Sequence, residues 1–425
     1  MSTISKLKAL SFLVYGLGVS GQSVVKFFKK NNIKNYKVWD DRQKKLLNNK
    51  RAKNLKEELQ KVDYIVLSPG ISLVKNKNLI RFKKKIITDI DFLYLTNKNF
   101  KSIVVTGTNG KSTTCKLISH ILEKNKFKVQ FGGNIGIPIL DLKIKKNSYV
   151  VIEVSSFQLS HSKFICPDFA FLLNITNDHL DWHGNTQNYK NSKLKIFVHQ
   201  KKKQFALVNI KLKKLFKQQN FVSKLIVPNQ KQYKKIKYKI KNHYLESSIN
   251  DENMCFVYAF SKLIKISEKK FVTAIKSFVG LSHRYEIFLK KKNITFINDS
   301  KATTFEATKY ALLNSKNIYW ILGGLPKKND KIFLSNIKKK IIKCYIIGKN
   351  SDFFKKQIQN KINYSITKNL KKTVITILKD IKLFSKKNNT ILLSPAAASY
   401  DQFINFEKRG DEFKKISKIY ARKFI

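Results

Sequence analysis

Short apolar runs punctuate the chain, and nearly all of them stop at a glycine or a polar residue. They occupy residues 11–15, 36–39, 64–67, 102–106, 149–152, 169–175, 294–297, 318–322, 344–347 and 390–393. They are rich in Val, Ile, Phe and Tyr, and that composition predicts strands. Between them, residues 22–30, 112–125, 185–197 and 250–266 read as helices. Strands alternating with helices predict parallel α/β sheets. The expected fold is α/β with three domains, each on a mainly parallel Rossmann-like sheet. The expected bounds are 1–95, 96–282 and 283–425, and the glycine turn with Gly-Lys-Ser after 102–106 makes the central one a P-loop-type ATPase domain.

The central chemistry is expected where the run 102–106 passes through Gly107, Thr108, Asn109 and Gly110 into Lys111, Ser112 and Thr113. A strand, a glycine turn and Gly-Lys-Ser opening a helix make a phosphate cradle, with backbone N–H groups and the helix dipole facing the anion. Lys111 brings a point charge to the outer phosphates and Ser112 a hydroxyl to Mg²⁺. The usual first glycine of this pattern is replaced by Val105, so the loop is a variant.

Other strand ends carry polar groups where open α/β sheets collect ligands. Glu153 closes the run 149–152 and is placed to bind Mg²⁺ beside Ser112. The run 169–175 leads to His179 and His183, whose spacing suits zinc on a helix. A strand-end loop is the expected setting instead, with His179 near phosphate or Mg²⁺ and His183 unassigned. Gly16, Gly18 and Gly21 form a G-x-G-x-x-G turn, with Asp40, Asp41 and Arg42 about 20 positions on. Alone that pattern suggests NAD; the weaker reading is a unit that binds some phosphorylated nucleotide.

Composition changes the picture less than its extremity suggests. Of 425 residues, 86 are Lys or Arg and 27 Asp or Glu, a formal net charge of +59. Such a balance could mark a nucleic-acid binder. However, arginine, which phosphate and base recognition favour, occurs only at 42, 51, 81, 284, 409 and 422. The lysines are scattered through every segment, so no specific nucleic-acid partner is expected. Four dispersed cysteines fit a reducing compartment, and no apolar run reaches the length of a membrane span. Lys6 and Lys8 before 9–19 imitate a signal peptide, but Gly16 and Gly18 break the stretch. A cytoplasmic monomer acting on small molecules is expected.

The stretch 106–113, together with 153–159, 298–303 and 394–410, resembles the Mur ligase family, over nearly the full length. The last three stretches are similar to its D-glutamate-adding branch. The resemblance implies that ATP phosphorylates the carboxylate of UDP-N-acetylmuramoyl-L-alanine and that the amine of D-glutamate attacks the acyl phosphate. It replaces NAD by a uridine nucleotide at the first glycine turn. It implies Mg²⁺ between Ser112 and Glu153, and a second ion held by His179 and by Lys193 carrying a carbamate. A plain solvated helix lysine is the alternative for Lys193.

By the same resemblance, Gly107, Thr108, Asn109, Gly110, Lys111, Ser112, Thr113, Asn253, Arg284 and Asp299 hold ATP. Gly18, Val19, Ser20, Asp40, Arg42, Ser68, Gly70, Asn134, Ser155 and Gln158 hold the UDP substrate. Lys301, Thr303, Lys327, Ser399 and Phe406 hold D-glutamate. The chain departs from the family pattern at Leu325-Pro326 and at Tyr400.

Overall fold

A computed structural model describes residues 3–42, 50–96, 99–176, 178–242, 244–245, 248–327, 330–332, 334–335, 337–383 and 388–425. The chain forms two compact units, residues 1–278 and 279–425. The first carries two sheets and the second one, so each of the three expected α/β domains has its own sheet.

The first sheet joins β1 (Phe12–Tyr15), β2 (Tyr36–Trp39), β3 (Tyr64–Leu67) and β4 (Ile86–Ile87) in the order 2-1-3-4. The second joins β5 (Phe100–Thr106), β6 (Val129–Gly133), β7 (Ser148–Glu153), β8 (Phe169–Leu172), β9 (Phe205–Val208) and β10 (Lys224–Ile226) in the order 10-9-8-5-7-6. Both are wholly parallel among the described residues. Strand β5 is fully apolar in its centre because both of its faces are covered. Ile103 and Val105 enter one core and Val104 the other. The strand order reverses beside β1 and beside β5, and each reversal leaves a crevice at strand C-termini. The two glycine turns follow these two strands.

In the second unit, β11 (Glu286–Lys291), β12 (Ile294–Asn298), β13 (Ile318–Gly323), β14 (Ile341–Ile347), β15 (Tyr364–Lys368) and β16 (Asn389–Leu393) run in the order 11-12-16-13-14-15. Strand β11 pairs antiparallel with β12 at the sheet edge. Its half-buried pattern and two lysines hide it in the sequence.

Three expectations are corrected. The run 169–175 is strand only to Leu172, because residues 173–176 leave the ladder to brace the phosphate loop. Residues 200–242, for which no strand or helix is expected above, contain β9, β10 and the helices Lys213–Lys217 and Gln230–Lys237. His183 is not in a loop: it ends the one-turn helix Leu180–His183.

Candidate active site

The phosphate loop is built by backbone geometry and held by its neighbours. Gly110 is the N-cap of helix Lys111–Lys124 and adopts φ 84°. A Cβ there would lie 2.2 Å from Asn253 Oδ1, so both conformation and space require glycine. The Thr108 amide donates to Asn174 O at 3.0 Å. The Asn109 amide donates to Asn174 Oδ1 at 2.8 Å. The Thr108 hydroxyl lies 2.8 Å from Tyr189 OH and accepts from the Thr176 amide. The residues after β8 therefore brace the loop. Asn174 and Tyr189 were not singled out in the sequence, although Asn174 sits at a strand C-terminus.

Lys111 folds back, donating from Nζ to Gly107 O and Thr108 O, each at 2.8 Å. Lys193, on helix Thr186–Val198, donates to the same Gly107 O at 2.9 Å and lies over the Tyr189 ring. Lys193 is 1% exposed, which rejects the solvated-lysine reading. Burial, and then the Lys111 charge, drive its amine well below the usual lysine range.

Glu153 ends β7 and is buried. Its Oε1 accepts from Asn134 Nδ2 at 3.1 Å, whereas buried Oε2 has no hydrogen-bond partner. An orphaned, buried carboxylate oxygen fits a cation, and the buried Ser112 hydroxyl is a suitable second oxygen. A buried amine of lowered basicity fits carbamate formation. These residues therefore fit Mg²⁺. Among the described residues, no group of three or more His, Cys, Asp or Glu could hold a metal.

His179 has φ 55°, packs on Phe157 at 4.7 Å between ring centroids, and points Nε2 to 3.4 Å from Asp178 Oδ2. His183 is buried 3.0 Å from Ser156 Oγ, and burial lowers its pKa to about 4. Its place is among aromatic rings, which is why its spacing from His179 does not make a metal pair. Asn253 is buried beside the loop, accepting from Thr114 Oγ1 at 3.3 Å.

Around the first glycine turn, Asp40 accepts from the amides of Leu17 at 2.6 Å and Arg42 at 2.9 Å. The Ser68 hydroxyl donates to Gly16 O at 2.7 Å. Gly18 caps the helix Val19–Lys30, Val19 is 73% exposed, and Arg42 and Gly70 are exposed. Ser155 and Gln158 form a reciprocal capping box on helix Ser156–His161. Most of these groups thus have structural bonds as well as an expected ligand.

In the second unit, Asp299 is buried and accepts from Ser394 Oγ at 2.7 Å and the Tyr285 amide at 3.1 Å. Burial raises its pKa to about 7. Buried Arg284 Nε has no hydrogen-bond partner. The Lys301 ammonium lies 5.0 Å from the Phe406 ring centre, Ser399 is buried, Thr303 is half-buried, and Lys327 is exposed. Arg409 was given no role in the sequence. It is 1% exposed and donates to Ser300 Oγ, Ser300 O and Ala397 O at 2.8–3.0 Å, joining the two stretches that carry Lys301 and Ser399.

Two family comparisons cover most of the first unit. The Mur ligase MurD-like N-terminal domain matches residues 11–88, and the Mur ligase middle domain matches residues 105–283. A Rickettsia felis protein named UDP-N-acetylmuramoylalanine–D-glutamate ligase is 38% identical, over 84% of this chain and 85% of its own. This chain belongs to the Mur ligase family. A Wolbachia relative from Brugia malayi, with the same name, is 36% identical over 96% of each chain. Among solved structures, MurC of Thermotoga maritima aligns over 97% of this chain with a TM-score of 0.56 at 14% identity. MurF of Thermotoga maritima, solved with ADP, gives 0.56 over 98% at 14% identity. These two likenesses concern the Mur ligase fold alone.

Proposed function

We propose that this Mur ligase joins D-glutamate to UDP-N-acetylmuramoyl-L-alanine at the expense of ATP, in peptidoglycan precursor synthesis. The observation that carries the reading is the identity to D-glutamate ligases across most of the chain. The site chemistry supports it. The L-alanine carboxylate attacks the γ-phosphorus, ADP leaves, and an acyl phosphate forms. The D-glutamate amine then attacks the acyl carbon, loses a proton, and expels phosphate.

An anion attacking a triphosphate needs positive charge that is already in place. Lys111 supplies it at the loop, together with the N-terminal end of helix Lys111–Lys124. Gly107 to Thr113 cradle the phosphates, and Asn253, Arg284 and Asp299 serve ATP. Ser112 and Glu153 would hold one Mg²⁺, and His179 with carbamylated Lys193 a second. When bound, these ions neutralise phosphate charge. Carbamylation converts a neutral Lys193 amine and CO₂ into an N-carboxylate plus a proton, and the depressed basicity of Lys193 favours that step.

Gly18, Val19, Ser20, Asp40, Arg42, Ser68, Gly70, Asn134, Ser155 and Gln158 serve the UDP substrate. Lys301, Thr303, Lys327, Ser399 and Phe406 serve D-glutamate, whose two carboxylates call for cations and hydroxyls. Functional domains of 1–95, 96–282 and 283–425 divide these roles. No described helix is long and apolar enough to cross a membrane. The enzyme acts as a cytoplasmic monomer.

The test is phosphate release from ATP with UDP-N-acetylmuramoyl-L-alanine, comparing D-glutamate with L-glutamate, meso-diaminopimelate and L-lysine. Release with D-glutamate alone is expected. Release with another amino acid instead would overturn the assigned pocket.

A further inference from the structure

Asp91 is a fully buried carboxylate to which neither the sequence motifs nor the reaction assigns a role. It lies in the first turn of helix Asp89–Thr96, in the chain between the first sheet and the second. Its Oδ2 accepts from the Thr88 amide at 2.8 Å and from the Thr88 hydroxyl at 3.3 Å. Its Oδ1 reaches the loop after helix Ser156–His161, which belongs to the second sheet. There it accepts from the Ser162 hydroxyl at 2.7 Å and from the amides of Lys163 at 2.9 Å and Phe164 at 2.7 Å. One carboxylate thus takes donors from both sides of a boundary, and backbone amides donate to each of its oxygens.

The helix that carries Asp91 belongs to both cores. Phe92 enters the core of the first sheet, whereas Ile90 and Leu93 enter a core of the second. Other hydrogen bonds cross the same boundary. The buried Ser72 hydroxyl donates to Trp182 O at 2.6 Å, Ser23 Oγ donates to Asp141 Oδ1 at 3.0 Å, and Lys163 Nζ donates to Lys84 O. These tethers leave from elements that carry expected ligand contacts. Ser23 is on helix Val19–Lys30, just after the first glycine turn, and Ser72 follows Ser68 and Gly70. Residues 162–164 follow the helix that Ser155 and Gln158 cap. Apolar contacts in the shared cores are non-directional and resist sliding weakly, whereas the directional bonds to Asp91 oppose it.

We propose that Asp91 is a positioning residue for the first chemical step, setting where the first glycine turn stands relative to the phosphate loop. That step joins groups held on opposite sides of the boundary. The L-alanine carboxylate of the UDP substrate must meet the γ-phosphorus of ATP in line, with ADP leaving on the far side. ATP alone needs only the phosphate loop, and UDP alone needs only the first turn. The transfer needs both in register, and a misplacement of about 1 Å at such a step costs on the order of 100-fold in rate.

This role rests on the ligase reading above, and kinetics with calorimetry on the full-length protein separates the two. Asp91→Asn keeps the side-chain volume but sets an N–H against a backbone amide on one side of the boundary. Its kcat/KM for UDP-N-acetylmuramoyl-L-alanine should fall on the order of 10- to 100-fold. The affinity and stoichiometry for ATP, and inhibition by UDP alone, should stay at their wild-type values, because each ligand lies on one side. The double variant Ser72→Ala, Ser162→Ala removes two tethers and leaves the carboxylate in place. It should lower kcat/KM in the same direction, and it carries the test if Asp91→Asn does not fold. Wild-type kcat/KM in folded Asp91→Asn, or a loss matched by equal losses for ATP and UDP, overturns the positioning role. Wild-type kcat/KM in the double variant, where Asp91→Asn does not fold, overturns it too. No phosphate release by the wild-type protein with any amino acid overturns the ligase reading and the role with it.

Discussion

Lys111 and Lys193 donate to one carbonyl oxygen, Gly107 O, at 2.8 and 2.9 Å. Two amines share a single acceptor, and Lys193 is the more deeply buried, Lys111 being half-buried in the loop. Burial, and then the Lys111 charge, hold the Lys193 amine well below the usual lysine range.

That asymmetry makes Lys193→Ala an informative variant. Its kcat/KM should fall on the order of 100-fold or more, as for loss of one charge-stabilising group. Formate or acetate should restore part of the activity by standing in for the carbamate. Wild-type protein incubated with ¹³C-bicarbonate should give a carbamate carbon resonance that is missing from the variant. A labelled resonance retained by Lys193→Ala would place the modification elsewhere.

Gly21 approaches the first turn so closely that a Cβ would lie 1.9 Å from Gly16 O. Gly21→Ala must push the helix Val19–Lys30 away from the turn. A loss of roughly 2–4 kcal/mol is expected in urea denaturation, with weaker UDP-substrate binding. Gly18, where a Cβ meets nothing within 4 Å, offers the control, and Gly18→Ala should cost far less stability.

His161 is buried against Trp182, and burial followed by the Lys195 charge lowers its pKa to about 4. The unfolded chain therefore binds a proton near pH 6.5 that the folded chain refuses. Stability from this group is complete above pH 6.5 and is lost as pH falls towards 4. Urea midpoints at pH 7 and pH 5 should differ more for the wild type than for His161→Gln. Equal differences would mean that the imidazole does not contribute.

Arg409 bonds to two carbonyls and a hydroxyl inside the second unit. Arg409→Ala leaves Ser300 O and Ala397 O without these donors and opens a cavity, at a cost on the order of 3 kcal/mol. Because Lys301 and Ser399 flank the bonded residues, the KM for D-glutamate should rise more than the KM for ATP. Urea denaturation and initial rates with each substrate varied measure the two effects.

The parallel sheets and both glycine turns were legible in the sequence because their signals are local. A strand buried on both faces needs an unbroken apolar run, and a phosphate cradle needs glycine and a helix start within ten residues. Motif spacing likewise placed Glu153 at a strand end. The edge strand β11 was not legible, since a strand with one partner and half-buried residues carries no such run. Nor could a pattern separate Lys193 from its many exposed counterparts by residue type. The family resemblance named it, and packing against Tyr189 and Gly107 sets it physically apart, through a contact 86 positions away in the case of the carbonyl. The same holds for Arg409, whose burial and partners come from distant segments. Sequence determined where the glycine turns follow strands and open helices, because that pattern is written in consecutive residues. Tertiary structure alone decided which charged side chains lose their water, and desolvation sets their basicity.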